Sequence, residues 1–311
     1  MGYGPNIAGH AHPTLIEAIK EQIENGLQYA MPYELQIKLI KELKRRYPMM
    51  AGFRLSNTGS EAVMHAIRLA RSYTGKEKIV KMEGGYHGAY DAVAASVYPS
   101  PKEWGPDERP NSVLASGVPK CYEKDTIIVQ YNDLENLEKT LRKYADEIAA
   151  VILEPVAMNN VGVILPEDGY LEGVRKLTKK HNVLLIFDEV KTGLRIAPGG
   201  AVEYFGIEPD IVVIAKALGG GAPIATFGFK KELMDIMYPQ GKHIHSGTYN
   251  GNPLAVSAAY ANLTKVLTND AYHYLHMMGE KLSKGIKDVI NDLKMPLTVT
   301  SIESVGVIHF M

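Results

Sequence analysis

An α/β protein built on a mostly parallel sheet flanked by helices is what this 311-residue chain predicts. Three observations carry the expectation. Short runs of apolar residues recur along the middle of the chain. They are continuous rather than alternating, as in strands buried on both faces. Amphipathic helical stretches lie between several of them.

The elements follow in order. Two amphipathic helices are expected near 14–25 and 33–46, the second ended by Pro48. A third starts near Gly59 and runs through Arg71, with Val63, Ile67 and Ala70 at helical spacing. Buried strands follow near 79–82, 127–130, 149–153, 183–187, 211–215 and 224–229. Helices near 134–142 and 169–181 fall between them, and 252–267 and 272–293 also read as helical. The segment Val305–Phe310 reads as a strand of a further domain. Residues 98–120, rich in Pro, Ser and Gly, read as a long loop of the kind that covers a site or is disordered.

Composition narrows the function classes. The 34 basic and 35 acidic residues leave a formal charge of −1, which gives no reason to expect nucleic acid or an anionic membrane as partner. Cys121 is the single cysteine, so no intrachain disulfide forms, and the chain suits a reducing compartment. No apolar stretch is long enough to span a bilayer. The start, Met1-Gly2-Tyr3-Gly4-Pro5, does not read as a signal peptide, and Asn6 spoils a myristoylation match. A cytoplasmic protein with no metal site is the expectation.

The chemistry should gather at one edge of the sheet. In an open α/β sheet, ligands bind beyond the carboxyl ends of the strands. Glu154, Asp188 and Lys216 each follow an apolar run, and Lys216 precedes Gly219-Gly220-Gly221. A lysine and an acid at strand ends are what a pyridoxal phosphate (PLP) site needs. The lysine forms a Schiff base, and the acid keeps the pyridine nitrogen protonated. Singly, Lys216 also reads as a solvated loop residue, and Asp188-Glu189 as a helix-capping or metal-binding pair. Asn57-Thr58-Gly59-Ser60-Glu61 reads either as a phosphate cup at a helix start or as a plain capping box. Tyr86, in Gly84-Gly85-Tyr86-His87-Gly88, reads as a stacking partner for the ring or as a core aromatic. His87 reads as an acid/base group or as a hydrogen-bonded structural histidine. Thr248 is a second hydroxyl for a phosphate, or part of a turn-rich loop.

Together these residues give a resemblance to the class III aminotransferases of PLP fold type I, and within them to glutamate-1-semialdehyde 2,1-aminomutase and related aminotransferases. It rests on Gly9-His10-Ala11-His12-Pro13, Asn57-Thr58-Gly59-Ser60-Glu61-Ala62, Glu83-Gly84-Gly85-Tyr86-His87-Gly88 and Glu154-Pro155-Val156. It continues through Phe187-Asp188-Glu189-Val190, Ala215-Lys216-Ala217-Leu218-Gly219 and Gly247-Thr248-Tyr249-Asn250-Gly251-Asn252-Pro253. The sequence departs from the pattern at Lys191, where an apolar residue is usual, and at Met158, where glycine is usual.

The resemblance implies PLP as cofactor, an amino acid or amine as donor, and a keto or aldehyde acceptor. It implies that Lys216 carries the cofactor and shuttles a proton, and that Asp188 pairs with the ring nitrogen. Val190 and Tyr86 would pack on the two ring faces, Gly59 and Ser60 would bind the phosphate, and Asn159 or Asn160 would sit near the ring hydroxyl. Glu154 would organise this edge, and Thr248 would reach the phosphate of the neighbouring subunit's cofactor in a homodimer. The division expected is 1–50 as an N-terminal helical segment with small-domain or dimer contacts, 51–265 as the large PLP-binding domain, and 266–311 as the start of a truncated small α/β domain. An amino-acid racemase or epimerase on the same scaffold, or a PLP-binding remnant without turnover, are the alternatives.

Overall fold

The computed structural model describes residues 3–106 and 110–310, so part of the 98–120 loop and Met311 lie outside the described residues. Helices α1 (Pro13–Glu24) and α2 (Glu34–Arg46) lead into β1 (Gly52–Ser56), α3 (Gly59–Thr74) and β2 (Lys78–Met82). Then come α4 (Tyr122–Asp125), β3 (Thr126–Val129), α5 (Leu134–Tyr144), β4 (Ile148–Leu153), α6 (Tyr170–Lys180), β5 (Leu184–Glu189), α7 (Gly200–Phe205), β6 (Ile211–Ile214) and β7 (Ala225–Phe229). Helix α8 (Pro253–Ala261) continues into a π-helical turn (Asn262–Val266). Helix α9 (Asn269–Asp292) and a hairpin of β8 (Leu297–Ile302) and β9 (Val305–Phe310) follow.

The main sheet of the described residues runs β1-β7-β6-β5-β4-β2-β3. Its pairs are parallel except that β7 runs antiparallel to both neighbours. The strands expected from apolar runs are present. Two strands escaped the sequence reading. One is β1, a short edge strand with Arg54 at its centre; the other is β8, where threonines alternate with apolar residues.

The uniformly apolar strands are explained by two cores, one on each face. Side chains on a strand alternate between faces. Val80, Val151, Leu185, Phe187 and Val212 pack with Leu39 and Leu43 of α2, Leu137 and Leu141 of α5, and Val174 of α6. Their neighbours Ile79, Ile152, Ile186 and Val213 pack with Val63, Ile67 and Ala70 of α3. Asp188 shares the parity of Ile186, so it faces the α3 side, where the start of α3 lies. Glu189 takes the other face, where it accepts from Thr192 Oγ1 at 2.9 Å and the Ala201 N–H at 2.6 Å.

Because β1, β2, β4, β5 and β6 all run the same way, their carboxyl ends share one edge. That edge collects Asn57, the Glu83 to Gly88 loop, Glu154, Asp188 and Lys216.

Candidate functional site

Asp188 is buried at the end of β5. Its Oδ2 lies 2.7 Å from His87 Nδ1, with both side chains 1% exposed, and its Oδ1 accepts the Val190 N–H at 3.0 Å. His87 Nε2 is buried and has no partner among the described residues. The hydrogen-bonded reading of His87 is therefore the one the geometry favours, with Asp188 as its partner 101 residues away.

Lys216 leaves β6 with φ +40°, a left-handed conformation that costs a non-glycine residue on the order of 1–2 kcal/mol. Its Nζ lies 3.5 Å from Asn159 Oδ1. Burial lowers the pKa of the amine; Asp188 and Glu154 oppose the shift, and the like charges of Lys191 and Arg195 add to it.

Helix α3 opens with a full capping box. Glu61 N–H donates to Thr58 Oγ1 at 3.2 Å, and Glu61 Oε2 accepts the Thr58 and Asn57 N–H groups at 2.9 and 2.8 Å. The box uses Thr58 and Glu61 and leaves the N–H groups of Gly59 and Ser60 at the head of the helix, where no turn precedes them to accept. The capping box is present, and it leaves two donors of the kind that suit an anion. Close packing shapes the cup. A Cβ on Gly59 would meet Val190 Cγ2 at 3.1 Å, and one on Gly88 would meet Ser60 Oγ at 2.5 Å. The Ser60 hydroxyl also accepts the Ala89 N–H at 3.0 Å, which fixes it beside that loop.

Gly59, Ser60, Tyr86, Asn159, Asp188, Val190 and Lys216 line one cavity of about 680 Å³. Cavities of about 780 and 850 Å³ lie elsewhere, beside α2 and along α9, away from this edge. Glu154 does not line the cavity but stands behind it. Its Oε2 accepts the N–H groups of Met158 and Asn159 at 3.1 and 3.0 Å, and burial, helped by Asp188, pushes its carboxyl up to about 8. Asn159 Nδ2 donates to the Tyr86 carbonyl at 2.8 Å, and Tyr98 Oη donates to Asn160 Oδ1 at 2.7 Å. Thr248 lies apart from these residues. It is exposed, and its carbonyl accepts from Gln28 Nε2. Lys191, noted in the sequence only as a departure, also lines the cavity.

The chemistry of this set fits a phosphorylated pyridine. The open N–H groups and hydroxyl at the start of α3 suit a phosphate, the buried carboxylate suits a ring cation, and the poised amine suits an aldehyde. Among the described residues no group of three or more His, Cys, Asp or Glu side chains is placed to hold a metal, and no helix is long and apolar enough to cross a membrane.

Known proteins share the sequence and the fold along most of the chain. The family model described as aminotransferase class-III matches residues 1–309. Glutamate-1-semialdehyde 2,1-aminomutase of Methanocella arvoryzae is 45% identical over 300 residues, which covers 96% of this chain and 69% of that protein. The protein of the same name from Archaeoglobus fulgidus is 44% identical over 310 residues, covering 100% of this chain and 72% of its own length. Among solved structures, an omega-transaminase from Sphaerobacter thermophilus superposes with a TM-score of 0.94 at 34% identity, over 99% of this chain and 70% of that one. A glutamate-1-semialdehyde-aminomutase from Pseudomonas aeruginosa in complex with PMP gives 0.88 at 29% identity, over 100% of this chain and 68% of that one.

Proposed function

The chain belongs to the class-III aminotransferases, PLP-dependent enzymes, and from that premise we propose that it transfers an amino group in the manner of glutamate-1-semialdehyde aminomutase, with Lys216 as the cofactor's anchor. The observation that carries this reading is the meeting of Lys216, Asp188 and the start of α3 on one cavity.

When bound, PLP supplies an aldehyde that takes up the amino group and a ring that draws electron density from the substrate's α carbon. Lys216 would hold the cofactor and then move the proton at that carbon. Its lowered pKa leaves more of the neutral amine that both tasks require. Asp188, kept in place by His87 and the Val190 N–H, would face the ring nitrogen as an anion. Gly59 and Ser60 would donate to the phosphate. Val190 and Tyr86 would close on the ring from its two sides, and Asn159 would address the ring hydroxyl. Glu154 would act through the turn at Met158 and Asn159, which it holds by two hydrogen bonds.

Thr248 is exposed and absent from the lining of its own chain's cavity. That supports a homodimer in which Thr248 completes the phosphate site of the neighbouring subunit. The substrates we propose are small: an amino acid or amine and a keto or aldehyde acceptor, with the semialdehyde named for the relatives as the first to try. The single cysteine fits a cytoplasmic protein.

The test is the visible spectrum of the purified chain with PLP, recorded before and after an amino donor is added. A cofactor band that changes with donor, and that is missing in Lys216→Ala together with all turnover, is the expected result. A Lys216→Ala protein that still transaminates refutes the assignment.

A further inference from the structure

Two lysines reach Asn159 from opposite ends. Lys216 Nζ lies 3.5 Å from its side-chain Oδ1. Lys191 Nζ donates to the Met158 carbonyl at 2.7 Å and lies 3.4 Å from the carbonyl of Asn159 itself. Lys191 lies in the loop just after β5 and lines the same cavity as Lys216. It is half-buried, and both of its acceptors here are neutral carbonyls. An ammonium in such a place is costly to desolvate. It is retained against that cost, in a turn that Glu154 already grips through the Met158 and Asn159 N–H groups. The turn is thus fixed through its N–H groups from one side and its carbonyls from the other. Asn159 then projects an amide that spans the site, with Nδ2 on the Tyr86 carbonyl and Oδ1 towards Lys216.

We propose that Lys191 is a positioning residue for Lys216, acting through Asn159: it fixes the turn so that the Asn159 amide holds the Lys216 amine in the cavity and the Tyr86 loop beside it. The inference rests on the reading of Lys216 as the cofactor's anchor. A lysine side chain has several freely turning bonds, and one hydrogen bond at its tip selects among its rotamers. Without Lys191 the turn relaxes, and the amine spends less time where an incoming aldehyde must meet it.

Charge is a second influence that the experiment separates. Lys216 is faced by Asp188 from β5, by Glu154 from the end of β4, and by Lys191 and Arg195 from the loop after β5. Removing the Lys191 charge therefore raises the pH at which Lys216 becomes neutral. Positioning is read on the high-pH plateau, where the amine is already neutral in every variant.

The experiment follows the capture of PLP by stopped-flow absorbance across pH, with thermal unfolding of each protein as the control for folding. On the plateau, Lys191→Met slows capture about five- to tenfold, the weight of one lost hydrogen bond. Asn159→Ala slows it comparably, and the double variant is no slower than the slower single, as expected for two residues in one chain of contacts. Lys191→Arg, which keeps donors and charge, stays within about twofold of the parent. If Lys191→Met does not fold, Lys191→Leu, which likewise has no donor, carries the same comparison. A plateau rate unchanged in the neutral variant, or two defects that multiply, overturns the proposal. Failure of the parent chain to capture PLP, or undiminished capture by Lys216→Ala, would instead overturn the reading of Lys216.

Discussion

Glu154→Gln should make the protein more stable, and only above about pH 5. The wild-type carboxyl is buried, with one oxygen bonded to two N–H groups and the other, Oε1, without a partner among the described residues. Burial, reinforced by Asp188, raises its pKa from 4.5 to about 8. Between those two values the folded chain holds a proton that the unfolded chain releases, so stability falls as pH rises. Each unit is worth about 1.4 kcal/mol, so the full shift corresponds to about 5 kcal/mol lost by pH 8. Glutamine keeps one oxygen for the two N–H groups, has the same shape, and does not titrate. The variant and the parent should therefore unfold at similar temperatures at pH 5 and diverge steadily towards pH 8. At roughly 2 °C or more per kcal/mol for a chain of this size, the gap should reach about 10 °C. Titrating groups that do not interact with Glu154, such as Glu189, whose carboxyl burial likewise pushes up to about 7, are common to both proteins and cancel in the difference. Thermal unfolding of the pair from pH 5 to 8.5 is the assay. Parallel curves would mean that Glu154 is ionised in the folded chain despite its burial.

Two further outcomes test the site. Asp188→Asn preserves shape and can still accept from the Val190 N–H, so the fold should survive while turnover drops by about 100-fold or more through loss of the anion; steady-state kinetics with unchanged rates would remove Asp188 from the chemistry. Gly88→Ala puts a methyl 2.5 Å from Ser60 Oγ at φ +97°, and should cost about 2 kcal/mol or more along with PLP affinity, read by thermal unfolding and by spectral titration. A variant that binds PLP as the parent does would show that the loop gives way without disturbing the phosphate cup.

What was legible in the sequence, and what was not, follows from the range of the forces involved. The strands β4, β5 and β6 announce themselves because burial on both faces demands unbroken apolar runs, and the ends of those runs point to Glu154, Asp188 and Lys216. Strand β1 gives no such signal. It lies at the edge of the sheet, and it pairs through its backbone with β7, about 170 residues away. The start of α3 was legible as a capping box, because that motif is local, and the two donors it leaves open follow from helix geometry alone.

Contacts made across the sheet edge are another matter. His87 meets Asp188 over 101 residues, and Lys191 meets the carbonyls of Met158 and Asn159 over 33 and 32. A carbonyl acceptor is present at every position of a chain, so a lysine bound to one leaves no pattern of residue types to read. Yet these are the contacts that orient the legible residues. Asp188 owes its fixed carboxylate to His87, and the amide beside Lys216 is held in a turn pinned by Lys191 and Glu154. Strand ends thus bring the reactive groups to one edge, and long-range hydrogen bonds decide which way they point. Changing a partner such as His87 should therefore disturb the chemistry while leaving the sheet intact, since the residue lies in the loop after β2 and belongs to none of the strands.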